Sequence, residues 1–125
     1  MLRDEELTKE IIIGAAIEVH RELGPGLLES AYEVCLCHEL RSRGLQVTCQ
    51  VPLPVTFKGV RLDCGYRIDI CVNESVIVEL KSVEKIADLH RAQLLTYLRL
   101  SGKKVGLLLN FNVPILKDGM VRMVL

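Results

Sequence analysis

The chain has 125 residues, 50% of them apolar and 26% charged, usage that excludes disorder and fits one domain (1–125) able to bury roughly two thirds of its unfolded surface. Sixteen Lys and Arg balance sixteen Asp and Glu, which excludes the strongly positive footprint of proteins that hold nucleic acid by charge alone. No apolar run reaches the roughly 18 residues of a spanning helix, and the opening M-L-R-D-E-E is acidic where a secretory leader is basic. A cytoplasmic protein without membrane contact is expected. Five cysteines, Cys35, Cys37, Cys49, Cys64 and Cys71, form no C-x-x-C pair, which argues against a disulfide framework or zinc knuckle and predicts that all are reduced.

In chain order, Leu7, Ile11, Ile12, Ala15, Ala16, Val19 and Leu23 recur at helical spacing behind Asp4 or Thr8 as cap, predicting a helix to about Glu22. Gly24-Pro25-Gly26 stops it, and His20 reads as a surface residue complementing the helix dipole. A second helix over 28–43, closed by Gly44, turns Leu28, Ala31, Cys35, Leu36 and Leu40 inward. Glu29 and Tyr32 share its first turn, where free backbone N–H groups favour a negative charge. Residues 45–51 and 55–57 read as strands interrupted by Pro52 and Pro54, which places them at a sheet edge. Lys58-Gly59 turns into a strand over 60–64 that Gly65 breaks, and Asp63 reads as a turn residue.

Two runs rich in β-branched residues, 68–72 and 76–80, flank Asn73-Glu74-Ser75 and predict an antiparallel hairpin. Acids are depleted in strands, yet Asp69 sits in the first run and Glu79 in the second, where an unpaired carboxylate costs several kcal/mol. Alternation puts Glu79 and Lys81 on one side of the strand, and the turn places Asp69 one or two pairs from Glu79. Two acids and an amine at one end of a sheet make a candidate metal and proton-transfer site. The same spacing also fits a solvated ion-pair cluster of little energetic weight.

Asp88 is expected to cap a third helix ending at Ser101-Gly102, with Ala92, Leu95 and Leu98 inward. Gln93 and Tyr97, four apart, project from one face and can present an amide and a phenol to one ligand. The run V-G-L-L-L within 104–110 suits a strand buried on both faces and reached by a parallel crossover. Lys117-Asp118-Gly119 predicts a last hairpin between 115–116 and 120–124.

The pattern D-x(9)-E-x-K at Asp69, Glu79 and Lys81 resembles the signature of the PD-(D/E)xK nuclease superfamily, with Ile68 where proline is frequent. Gly26-Leu27-Leu28-Glu29-Ser30-Ala31-Tyr32, preceded by E-V-H-R-E-L-G-P, is similar to the naming motif of its GxxExxY branch. The likeness continues in order through Gln50-Val51-Pro52-Leu53-Pro54, Tyr66-Arg67-Ile68-Asp69, Ala92 to Leu98 and Asn110-Phe111. It implies an α/β, restriction-endonuclease-like sandwich: a mixed β-sheet, antiparallel meander plus parallel crossover strand, flanked by helices. It further implies a nuclease that hydrolyses phosphodiester bonds. Asp69, Glu79 and Glu29 then hold one or two Mg²⁺ or Mn²⁺ ions, and Lys81 orients water or steadies developing charge. Gln93, Tyr97 and Tyr32 contact substrate, which is nucleic acid, DNA ahead of RNA; a homo-oligomer is left open. The alternative is a nucleic-acid-binding or protein-interaction module that keeps the scaffold without turnover.

Overall fold

The computed structural model describes residues 4–125. Helix α1 (Asp4–Leu23) leads by way of Gly24 and Gly26, both at positive φ, into α2 (Glu29–Ser42). Ile12, Ala15, Ala16 and Val19 of α1, at helical spacing, meet Tyr32, Leu36 and Leu40 of α2 in one core. The inward faces are rotated from the expected ones: Leu28 is 78% exposed, and Leu7 and Leu23 are also exposed, whereas Tyr32 and Cys37 are buried. His20, expected at the surface, is buried and its Nε2 bonds the Val113 carbonyl at 2.8 Å.

Five strands, β1 (Val47–Pro52), β4 (Arg67–Val72), β5 (Val76–Lys81), β6 (Val105–Asn110) and β7 (Met120–Val124), form one sheet in the order β1-β4-β5-β6-β7. Within this sheet β5 and β6 run parallel, connected through α3 (Asp88–Ser101), and the other neighbouring pairs run antiparallel. The fold is thus the restriction-endonuclease-like mixed α/β sandwich, with the proline-interrupted β1 at an edge. Strands β2 (Val55–Phe57) and β3 (Val60–Leu62) pair only with each other, so this hairpin is an excursion between β1 and β4 and not part of the meander. The expected C-terminal hairpin is corrected as well. Residues Leu116–Gly119 form a 3-10 turn, and β7 pairs back with β6.

Side-chain alternation divides the core in two. Val76, Val78 and Leu80 of β5 face α1 and α2, while Ile77 faces Leu94, Tyr97 and Leu98 of α3. Strand β6 is buried along its whole length, as its continuous apolar run requires. Ala92, expected inward on α3, is exposed, and Leu94 and Tyr97 take the buried places. Cys37 of α2 and Cys49 of β1 meet sulfur to sulfur across the helix–sheet interface; Cys35, Cys64 and Cys71 stand apart from them as free thiols.

Regular pairing fails at one place. Ile70 and Ile68, two residues apart and therefore due on one face, belong to the cores on opposite faces. Between them lies Asp69. Across from it on β1, Gln50 has φ +53° and drops out of a ladder that is otherwise in register. The β4–β5 ladder also ends at Ile70–Val78. The strands roll over at Asp69, at the end of the sheet where β5 delivers Lys81.

Candidate active site

Continuing the β4–β5 register by one pair sets Asp69 directly opposite Glu79, closer than the one or two pairs of offset expected. Their carboxylates replace the missing ladder bonds. Glu79 Oε2 accepts the Asp69 N–H at 2.7 Å, and Asp69 Oδ2 accepts the Leu80 N–H at 2.8 Å. Each acid is thereby locked to the opposite strand. Glu79 is only 5% exposed, which removes the solvated ion-pair reading, and among the described residues no ion pair includes Asp69 or Glu79. Burial, reinforced by the Asp69 charge, pushes the Glu79 carboxyl up to about 8, despite its bond from Asp69 N–H and the Lys81 charge. Burial likewise raises Asp69, against the Leu80 N–H, the Lys81 charge and the Gln50 amide.

Asp69 opens on a small cavity of about 150 Å³ between the sheet and α2, lined also by Glu29, Ser30, Glu33, Gln50 and Leu80. Glu29 reaches it from the exposed first turn of α2. Glu33, which the sequence reading missed, sits one turn further along the same face, a signal available from its spacing of four from Glu29. Gln50 Nε2 bonds Glu33 Oε1 at 2.6 Å. Burial raises the Glu33 carboxyl; the Gln50 bond opposes this, and the charges of Asp69 and Glu29 add to it.

Lys81 is half-buried and lines a different, larger cavity of about 550 Å³ between the sheet end and α3. Gln93 and Tyr97 line it too, from one helix face as their spacing predicted, with Gln93 Nε2 donating to the Tyr97 hydroxyl at 3.3 Å. Burial, then the Glu79 charge, raises the Tyr97 phenol. The site therefore straddles the sheet, with Asp69, Glu29 and Glu33 on the cavity toward α2, Lys81, Gln93 and Tyr97 on the cavity toward α3, and Glu79 between them, sharing the Lys81 side of β5 and bonded to the Asp69 N–H.

Tyr32 does not join them. It is fully buried and stacked on Phe111 at 4.5 Å, and its hydroxyl donates to the Gly24 carbonyl at 2.6 Å and accepts the Leu27 N–H at 3.1 Å. Its expected substrate contact is corrected to pinning the loop before Glu29. Ser82 Oγ, just after Lys81, donates to the Leu27 carbonyl of the same loop at 2.6 Å. Asn110, paired with Lys81 across β5–β6 and 1% exposed, holds Val83 by both its N–H and carbonyl. Tyr32, Ser82 and Asn110 thus fix the segments that carry Glu29 and Lys81 against one another.

A family model described as the PD-(D/E)XK nuclease superfamily matches residues 5–123. The chain belongs to the PD-(D/E)XK nuclease superfamily. Comparison with curated proteins and with solved structures gave no match. Nucleases of this superfamily generally use divalent metal ions. The donors here fit such an ion in kind: carboxylates and an amide line the Asp69 cavity, with no thiol or imidazole among them, the oxygen chemistry of a hard cation. Among the described residues no three acidic, His or Cys side chains are already gathered as a metal cluster, because Asp69 and Glu79 spend oxygens on strand N–H groups and Glu29 stands out at the helix end. No helix among the described residues is long and apolar enough to cross a membrane.

Proposed function

We propose that the chain is a single nuclease domain that hydrolyses phosphodiester bonds in nucleic acid, DNA ahead of RNA. The observation that carries this reading is the opposed pair of half-buried Asp69 and buried Glu79, locked to strand N–H groups and, among the described residues, without a cationic partner in an ion pair. Such placement is expensive for folding and is characteristic of a site kept for chemistry. The loop geometry around Gly26, Glu29 and Tyr32 supports membership of the GxxExxY branch: the glycine takes φ +100°, the tyrosine pins the turn, and the glutamate is left at the helix start facing Asp69.

Asp69, Glu79 and Glu29 are the residues that would hold Mg²⁺ or Mn²⁺, which when bound supplies Lewis acidity and a more acidic water. Lys81 contributes a fixed positive charge beside the acids, able to orient water and to offset negative charge developing on phosphate. Gln93 presents an amide and Tyr97 a phenol to the backbone of the bound strand. Tyr97 is a phenol at neutral pH, and burial and the Glu79 charge raise its pKa further, so it is available as a hydrogen-bond donor.

One observation favours a second reading, a binding module without turnover: the acids are not pre-gathered as a metal cluster among the described residues. Incubating purified protein with single- and double-stranded DNA and RNA, in Mg²⁺, Mn²⁺ or EDTA, separates the two. Cleavage that requires metal and is abolished by EDTA is expected. Intact substrates under every condition, with binding retained, would leave the module.

A further inference from the structure

The 550 Å³ cavity that contains Lys81 is bounded on its outer side by Tyr66. This residue is 47% exposed, and its ring packs edge-to-face with buried Tyr97 at 6.3 Å between centroids and 67° between planes. Its backbone is not loose: the Tyr66 carbonyl accepts the N–H of Leu53, itself 5% exposed and packed into the α3-side core. The ring is thus about half exposed, on a backbone tied to the core, and lines the cavity that holds the candidate catalytic lysine. Leu89, 78% exposed, lines the same cavity from the start of α3. Nearby in sequence, Lys58, Arg61 and Arg67 are exposed against a single acid, Asp63. An exposed aromatic among basic residues beside a phosphate-handling group is the composition of a stacking platform for unpaired bases.

We propose that Tyr66 stacks an unpaired nucleobase next to the phosphate that Lys81 handles, so that the substrate is a single-stranded segment or a frayed end and not intact duplex. This rests on the nuclease reading above. The cavity lies in the size range of small-ligand sites, enough for one splayed nucleotide. A paired base in a duplex has both faces covered by its neighbours and offers Tyr66 none.

Equilibrium binding in EDTA, where the strand stays intact, tests this directly. The probes are a fluorescein-labelled oligothymidylate and a mixed-sequence duplex of equal length. The single strand is expected to bind more tightly than the duplex. Tyr66→Ala should weaken single-strand binding about tenfold or more, Tyr66→Phe should stay near wild type, and duplex binding should hardly respond. The chain has no tryptophan and three tyrosines, so tyrosine emission gives a second readout. Unlabelled oligothymidylate should quench wild type, and Tyr66→Phe should lose most of that quench, because Tyr32 is fully buried and Tyr97 is only 7% exposed. Duplex bound as tightly as single strand, or Tyr66→Ala binding like wild type, overturns the inference whatever the cleavage assay gives. Tyr66-dependent single-strand binding without cleavage in any metal overturns the nuclease reading and upholds the stacking role.

Discussion

Glu79 is the residue whose chemistry departs furthest from its type. Its folded pKa of about 8 lies above the ordinary glutamate value near 4.5, so the folded chain binds a proton that the unfolded chain has released between those limits. The stabilising contribution is complete below about 4.5, fades as pH rises and is lost above about 8. Urea melts in EDTA at pH 5 and 8.5 should show wild type losing stability with rising pH. Glu79→Gln, which keeps an acceptor for the Asp69 N–H but no charge, should show a smaller loss; parallel pH profiles in the two proteins would sink the assignment. Lys81 makes the second residue-scale prediction. An ammonium cannot ligate a cation, so Lys81→Ala should lower cleavage by on the order of 10² to 10³ while leaving Mn²⁺ titration close to wild type. Cutting at the wild-type rate refutes its role. The juxtaposition of Asp69 and Glu79 at the end of β5 was legible in the sequence because acids inside β-branched runs contradict strand preference. Tyr32 was not: spacing shows which helix face a phenol shares, but not that the preceding loop folds back onto its hydroxyl.

At the scale of elements, the segment after Lys81 has no ladder of its own and depends on Asn110. Its Oδ1 accepts from the N–H of Val83 and of Asn112, at 3.1 and 3.2 Å, and its Nδ2 donates to the Val83 carbonyl at 2.9 Å. Asn110→Ala removes all three bonds at a buried position, a loss of about 2 to 3 kcal/mol once unpaired backbone groups are counted. The urea midpoint should fall with an unchanged slope, and a loss under about 0.5 kcal/mol would show that the connector is held elsewhere. Hydrophobic period located α1, α2, α3 and β6 well, and each ends within a residue or two of its expected limit. The β2–β3 excursion and the return of β7 to β6 were hidden for a physical reason. Strand period states which side chains share a face, whereas partner choice is decided by three-dimensional packing.

For the whole molecule, the neutral total conceals an uneven distribution. Helix α1 carries six acids, Asp4, Glu5, Glu6, Glu10, Glu18 and Glu22, against Lys9 and Arg21, so the remainder of the chain is positive by the same excess. The global charge count alone was therefore a poor guide to a polyanion partner. Stability as a whole should respond to metal. Without it the acids repel; with Mn²⁺ at a hundredfold excess over its dissociation constant, stabilisation reaches about 2.7 kcal/mol, a melting shift of about ten degrees for a domain of this size. Asp69→Asn should melt in EDTA at or above wild type and lose most of the shift. A wild type whose melt ignores Mn²⁺ rules out the metal assignment.

The division of the site between the two faces of the sheet also dictates how it can be blocked. A chelating compound lodged against Asp69 would depend on metal for its potency and would leave the α3-side cleft free to hold a strand. A flat aromatic compound seated against Tyr66 would displace the strand, would be indifferent to metal, and would leave the acids untouched. The two inhibitor types occupy separate cavities, so they should bind at the same time, and a short linker over the end of β5 would join them into one molecule.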